Sequence, residues 1–300
     1  MSIKYKKMEL GGLLVKTAMR KQVVSLPKDA SISHGITSLI KYKINAFLAV
    51  DDSGFPVGVV SKTDIMGAYY ARLPLETSLD NIMSSPPMFC SPDDSLETAL
   101  DEMRSKGIYR LYVTGESPDE ILGLLAYPDI VGLLYQYCRD CEYSHFRQEQ
   151  KIKKTKAILR YKIKEVMTPN VKACHKNESL TYIMEELSKY RFGAVLITDR
   201  NNIPCGVVSK TDLALSYKHG IDSQETANTI MSSPVMSCEE DDLLENAIHK
   251  MIFTDIHRLF VHRENPQNIV GVLSLTDAAR IRSGSCHACV TSRIRVDGHY

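Results

Sequence analysis

A serine, a threonine and an aspartate in the run Ser61-Lys62-Thr63-Asp64 are the side chains best placed in this sequence to hold a polar ligand. Hydroxyls at the start of a helix lie beside free backbone N–H groups, where phosphate oxygens are favoured by hydrogen bonding and by the helix dipole. The carboxylate can accept from both hydroxyls of a ribose, the use that dinucleotide-binding folds make of an acidic residue. A helix cap calls on the same residue types, so a single copy would not separate ligand from cap. The run recurs, however. Ser209, Thr211 and Asp212 stand 148 residues further on (212 − 64), and Ser274, Thr276 and Asp277 make another copy. A fourth, Ala126-Tyr127-Pro128-Asp129, keeps only the carboxylate. Pro128 removes a hydroxyl and an amide donor, which argues against phosphate binding there.

Cysteine supplies a second kind of chemistry. Cys138 and Cys141 form one Cys-x-x-Cys pair, and Cys286 and Cys289 form another, again 148 residues apart (286 − 138). Residues three apart share a helix face. Four thiolates from two such pairs could hold zinc or an iron-sulfur cluster. A reversible disulfide, a site completed across a dimer, or plain surface thiols are the alternatives. His145 and His287 are further candidate ligands, whereas Cys90 and Cys238 lie in strand-like runs and read as small buried residues.

The elements that must position these groups are set by an internal repeat. GVVSKTD at Gly58–Asp64 returns letter for letter at Gly206–Asp212, and IMSSP at Ile82 returns at Ile230, so the chain is a duplicated half. Within each half a weaker copy ends at Asp129 and at Asp277, giving four units. Each reads as a short strand, a capped helix, two strands about a turn, and a second helix. In the first unit Ile32, Ile36, Leu39 and Ile40 fall at helical spacing, and in the third Leu180, Ile183, Met184 and Leu187 do so. Phe47–Val50 and Val57–Val60 are β-rich runs around the turn residues Asp51-Asp52-Ser53-Gly54, with a first strand expected at Val23–Leu26. A three-stranded sheet with helices on one face leaves apolar surface uncovered, so the units should pair.

This order of elements, with four strand ends running from glycine to aspartate, resembles CBS domains, which pair into Bateman modules. The resemblance covers nearly the whole chain. It implies an α/β (α+β) architecture of four β-α-β-β-α units in two modules, packed as a flat pseudo-symmetric disc. The first module would span residues 10–145, with repeats at about 18–72 and 83–137. A basic helical linker would follow at 146–164, then a second module at 165–293 with repeats at about 166–220 and 231–285, and a tail at 286–300. The lysines of the linker read as a solvated helical face.

By the same resemblance the protein is a non-enzymatic regulator and energy sensor. It would bind AMP, ADP, ATP or S-adenosylmethionine in clefts between paired repeats, and signal to a partner that the sequence does not identify. A homodimer of discs is compatible with it. The even units carry Tyr109-Arg110 and His257-Arg258 at the middle strand where the odd units carry Asn45-Ala46 and Gly193-Ala194. This resembles the histidine-arginine pair that contacts phosphates in the gamma subunit of AMP-activated kinase. Arg110 would then reach a phosphate in the first module, and His257 with Arg258 in the second; the alternative is ordinary surface ion pairs. Arginine suits the role because its planar fork binds phosphate oxygens in pairs. With tyrosine in place of histidine and a broken second loop, the first module is expected to bind more weakly or not at all.

Composition narrows the remaining classes. Lysine plus arginine (37) nearly balances aspartate plus glutamate (36), which argues against a basic nucleic-acid-binding surface. The amino-terminal run has no signal-like apolar core, and no stretch reaches the roughly 18 apolar residues of a membrane span, so a cytoplasmic protein with reduced thiols is expected. The repeats leave no room for a P-loop, nucleophile elbow or paired catalytic acid and base. The reading that competes with the adenosyl sensor is a zinc, iron-sulfur or redox sensor built on the two cysteine pairs.

Overall fold

The computed structural model describes residues 13–126, 129, 162–169, 171–254, 256 and 258–274. After a short helix α1 (Val15–Ala18), one plan repeats. Unit 1 has strand β1 (Ser25–Pro27), helix α2 (Ile32–Lys41), strands β2 (Ala46–Val50) and β3 (Pro56–Ser61), and helix α3 (Lys62–Tyr70). Unit 2 has β4 (Phe89–Cys90), α4 (Leu96–Ser105), β5 (Arg110–Thr114) and β6 (Ile121–Ala126). A two-residue strand β7 (Thr168–Pro169) leads into unit 3, with β8 (Ala173–His175), α5 (Leu180–Lys189), β9 (Ala194–Thr198), β10 (Pro204–Ser209) and α6 (Lys210–Lys218). A short helix α7 (Ala227–Ile230) precedes unit 4, with β11 (Ser237–Glu239), α8 (Leu244–Phe253), β12 (Arg258–Arg263) and β13 (Asn265–Ser274). In every unit the first strand pairs parallel with the middle one and the third pairs antiparallel, so the fold is a mixed α+β repeat.

Local chemistry accounts for these elements. Ser31 and Ser179 cap α2 and α5 by accepting from the N–H groups of His34 and Tyr182. Ile32, Ile36 and Leu39 on α2, like Leu180, Ile183, Met184 and Leu187 on α5, bury one helical face. At the β2–β3 turn one Asp51 oxygen accepts from the N–H groups of Ser53 and Phe55, while Gly54 takes φ +85°. The first strand begins at Ser25 and not at Val23; Val24 still accepts from the Leu48 N–H, but Val23 packs between sheets without joining the ladder.

Pairing follows from exchanged segments. The stretch that opens each unit crosses to lie on the third strand of its neighbour. Ser84 bridges to Val59, Arg20 to Leu124, and Ser232 to Val207, while β7 pairs with β13. A methionine on each crossing segment covers a glycine: Met83 over Gly58, Met19 over Gly123, Met231 over Gly206 and Met167 over Gly271. Units 1 and 2 are thereby locked together, as are units 3 and 4. Leu48, Tyr112 and Leu124 fill the space between the sheets of the first pair.

The two pairs meet through helices. One hydrophobic core runs without a break from Ile36, Phe47, Ile65 and Leu79 of unit 1 to Ile183, Val195, Leu213 and Ala227 of unit 3. Tyr69 and Tyr217 stack at its centre, ring centroids 5.0 Å apart and 10° from parallel. Their hydroxyls donate to the carbonyls of Ile221 (2.7 Å) and Leu73 (2.5 Å). Adding 148 to Tyr69 and Leu73 gives Tyr217 and Ile221, so the contact is its own image under a pseudo-two-fold. Among the described residues no helix is long and apolar enough to cross a membrane.

Candidate functional site

The glycine-to-aspartate runs end on the turn from third strand to second helix. Ser61 closes β3 and caps α3: its hydroxyl accepts from the N–H groups of Thr63 and Asp64 at 3.2 and 3.4 Å. Asp64 folds back, and its Oδ2 accepts from the Ser61 N–H (2.7 Å) and hydroxyl (2.6 Å). This is a capping box. Unit 3 repeats it, with Asp212 Oδ2 accepting from the Ser209 N–H at 2.8 Å and hydroxyl at 2.6 Å. The amides expected to be free for phosphate are therefore partly taken by the serine, because an uncapped helix start is costly.

The second carboxylate oxygen is different. Among the described residues, Asp64 Oδ1 accepts a hydrogen bond only from the hydroxyl of Ser84, and Asp212 Oδ1 only from that of Ser232, both at 3.4 Å. Each serine arrives on the segment crossing from the neighbouring unit, so each site is assembled from two units. In unit 2, Asp129 Oδ2 accepts from the Ala126 N–H at 2.9 Å and its Oδ1 pairs with Arg20 Nε at 2.7 Å. Burial pushes the Asp129 carboxyl up, and the Arg20 charge opposes it, with a smaller pull from Arg110.

The loops of units 1 and 3 also reach each other. Lys62 Nζ donates to Thr211 Oγ1 at 3.0 Å, and Lys210 Nζ donates to Thr63 Oγ1 at 2.9 Å, a reciprocal exchange across the pseudo-two-fold. Burial holds both ammoniums below the usual lysine range. The opposing Asp212 pulls Lys62 back up, and Asp64 does so for Lys210. Arg258, first residue of β12, pushes Lys210 down further, and its guanidinium lies over Gly193 of unit 3, where a Cβ would stand 3.2 Å from Nη2.

Ser61, Thr63, Asp64, Ser209, Thr211 and Asp212 thus gather in one region with Arg258 at its edge. Arg110 stands opposite Ala126 in the sheet, and its charge acts on Asp129. Ser274 ends β13, opposite Arg258. His257, Thr276, Asp277 and the four cysteines Cys138, Cys141, Cys286 and Cys289 lie outside the described residues. Among those described, no group of three or more His, Cys, Asp or Glu could hold a metal. Cys90 and Cys238 are buried, and burial pushes both thiols up to about 12.

The residue types and spacing that carry hydroxyls and carboxylates were visible in the chain, but Ser84, Ser232, Lys62 and Lys210 were not singled out. Their signal was present, since all four fall inside the two segments repeated without change. Arg20 left no such mark. The arrangement offers two carboxylate oxygens that a vicinal diol can approach, with hydroxyls and cations beside them suited to an anionic group.

Comparison with known proteins adds the following. The family model for the CBS domain matches residues 15–71, 79–136, 163–218 and 227–284. An uncharacterised Methanopyrus kandleri protein is 26% identical over 119 residues, 39% of this chain, and the match spans only 60% of that protein. The CBS domain-containing protein YhcV of Bacillus subtilis is 26% identical over 118 residues, 39% of this chain and 82% of its own. Among solved structures, a Methanocaldococcus jannaschii protein described as a candidate archaeal homologue of γ-AMPK superposes with a TM-score of 0.68 at 15% identity, covering 90% of this chain and 99% of the other.

Proposed function

Since this chain belongs to the CBS-domain family, with all four of its repeats matched, we propose that it is a non-enzymatic regulatory protein that binds an adenosyl ligand at the loops of units 1 and 3. The ribose diol would donate to Asp64 Oδ1 or Asp212 Oδ1. A phosphate would draw on Thr63 or Thr211, on the lysine that crosses to it, and in the second pair on Arg258.

The observation that carries this reading is the unequal use of the two aspartate oxygens. One is committed to the capping box, while the other, among the described residues, has a single long 3.4 Å serine contact that a ribose hydroxyl can replace with a better one. Regulation follows from the crossing lysines. A phosphate on Thr63 competes with the bond from Lys210, so a ligand bound in one pair alters the contact holding it to the other. A partner protein reads the resulting arrangement.

The ligand itself supplies the test. AMP should bind saturably, and 2′-deoxy-AMP about 10- to 100-fold more weakly, because it leaves a carboxylate short of one hydroxyl bond worth roughly 1.5–3 kcal/mol. Equal affinity for the two nucleotides would remove the aspartates from the ribose role.

A further inference from the structure

Of the four loop aspartates, the three described each face a residue on a crossing segment, and Asp277 lies outside the described residues. Ser84 faces Asp64, Ser232 faces Asp212, and Arg20 faces Asp129; Thr168 holds the equivalent place on β13 of unit 4. Three of these four crossing residues carry a short hydroxyl side chain. Unit 2 receives a guanidinium instead.

That exchange changes what the aspartate can still accept. At Asp64 and Asp212 the outward oxygen has a neutral partner at 3.4 Å, the long limit of a hydrogen bond. At Asp129 the same oxygen has a charged partner at 2.7 Å, and its other oxygen caps the Ala126 N–H. The Asp129 side chain is only 10% exposed, so stripping it of its cation leaves a carboxylate both buried and unpaired. A ribose hydroxyl is neutral and cannot repay that loss.

We propose that Arg20 is the residue that withholds the unit 2 loop from ligand, by occupying in advance the carboxylate that a ribose would use. The first pair then offers one site, on Asp64. This inference rests on the ribose role assigned above to Asp64 and Asp212, extended to the equivalent Asp129. It also assigns the segment from unit 1 a specificity role in unit 2, as only the crossing brings Arg20 there. The anchoring of that segment does not depend on the arginine side chain: Arg20 exchanges two backbone hydrogen bonds with Leu124, both 2.8 Å, and 54% of its side chain is exposed.

The test is calorimetric titration with adenosine, chosen because the unit 2 loop lacks the Ser and Thr hydroxyls suited to phosphate. Arg20→Ser installs the residue found at Ser84 and Ser232. It should bind one adenosine more than the unaltered chain, and Arg20→Ser combined with Asp129→Asn should lose that extra site. Asp129→Asn alone should leave the number of sites unchanged, and Arg20→Gln provides a second opening variant of near-native bulk.

An unaltered count in both Arg20→Ser and Arg20→Gln would overturn the inference, as would loss of a site in Asp129→Asn alone. If the unaltered chain binds no adenosine while Arg20→Ser binds one, the roles of Asp64 and Asp212 fail and that of Arg20 stands. If the unaltered chain binds and Arg20→Ser adds nothing, the reverse holds.

Discussion

Lys62 and Lys210 carry the clearest conflict at the scale of single residues. Each is drawn out of water to reach a neutral threonine hydroxyl, and burial disfavours its charged form. Their folded pKa values lie below the unfolded 10.5, so the unfolded chain binds more protons in the interval just under 10.5 and stability rises with pH there. Lys62→Met and Lys210→Met keep the apolar stem and discard the charge. Thermal unfolding of the double variant should occur at or above the temperature of the unaltered chain. Its AMP affinity should fall about 10- to 100-fold, the loss of a charge-assisted bond of roughly 1.5–3 kcal/mol, with adenosine binding unchanged. Equal losses for AMP and adenosine would mean that the lysines shape the loop and do not meet the phosphate. Aspartates and hydroxyls of this site could be read directly from the chain because exact repetition marks them. Arg20 could not, since its run AMRK departs from IMSSP and its partner is supplied by another unit.

At the scale of elements, the crossing segments hold the pairs together, and the glycines beneath them set how closely they pack. A Cβ at Gly123 would stand 2.6 Å from the carbonyl oxygen of Arg20, a backbone atom fixed by its own bonds to Leu124. At Gly206 the nearest obstacles are the Met231 sulfur at 2.7 Å and Cγ at 2.8 Å, side-chain atoms that can turn where a backbone oxygen cannot. Urea denaturation should therefore show Gly123→Ala losing at least 2 kcal/mol and Gly206→Ala about 1 kcal/mol less, within the usual range of overpacking. The opposite order would mean that the thioether is the more rigid neighbour. Helices and strands inside each unit were legible from periodicity and caps, because Ile32, Ile36 and Leu39 need only local spacing to share a face. The crossing was not, since no local pattern states which neighbour's third strand a segment will join.

Over the whole molecule the two pairs depend on the stacked Tyr69 and Tyr217. Burial pushes both phenols up to about 12 from the ordinary 10. Between about pH 10 and 12 the folded protein keeps protons that the unfolded chain has released, so stability is present below pH 10 and falls as pH rises through that window. Tyr69→Phe with Tyr217→Phe should flatten this fall. At neutral pH it should cost about 1–3 kcal/mol per hydroxyl removed, as the carbonyls of Ile221 and Leu73 lose their donors. An unchanged alkaline limb in the double variant would place the instability elsewhere. Pairing of sheets was foreseeable from their uncovered faces. The junction of units 1 and 3 was not, because α3 and α6 carry no apolar stripe that differs from an ordinary core face. The expected disc also requires units 2 and 4 to meet, and the segments where their second helices are expected lie outside the described residues.

The central claim is that Asp64 and Asp212 each hold the ribose of an adenosyl ligand. It is tested most directly by calorimetric titration of AMP into the unaltered chain, Asp64→Asn, Asp212→Asn and the double variant, since asparagine can preserve the cap while losing the charge. The account predicts saturable binding, one site lost in each single variant and two in the double. Saturable binding that survives both substitutions, or no binding by the unaltered chain, would contradict it.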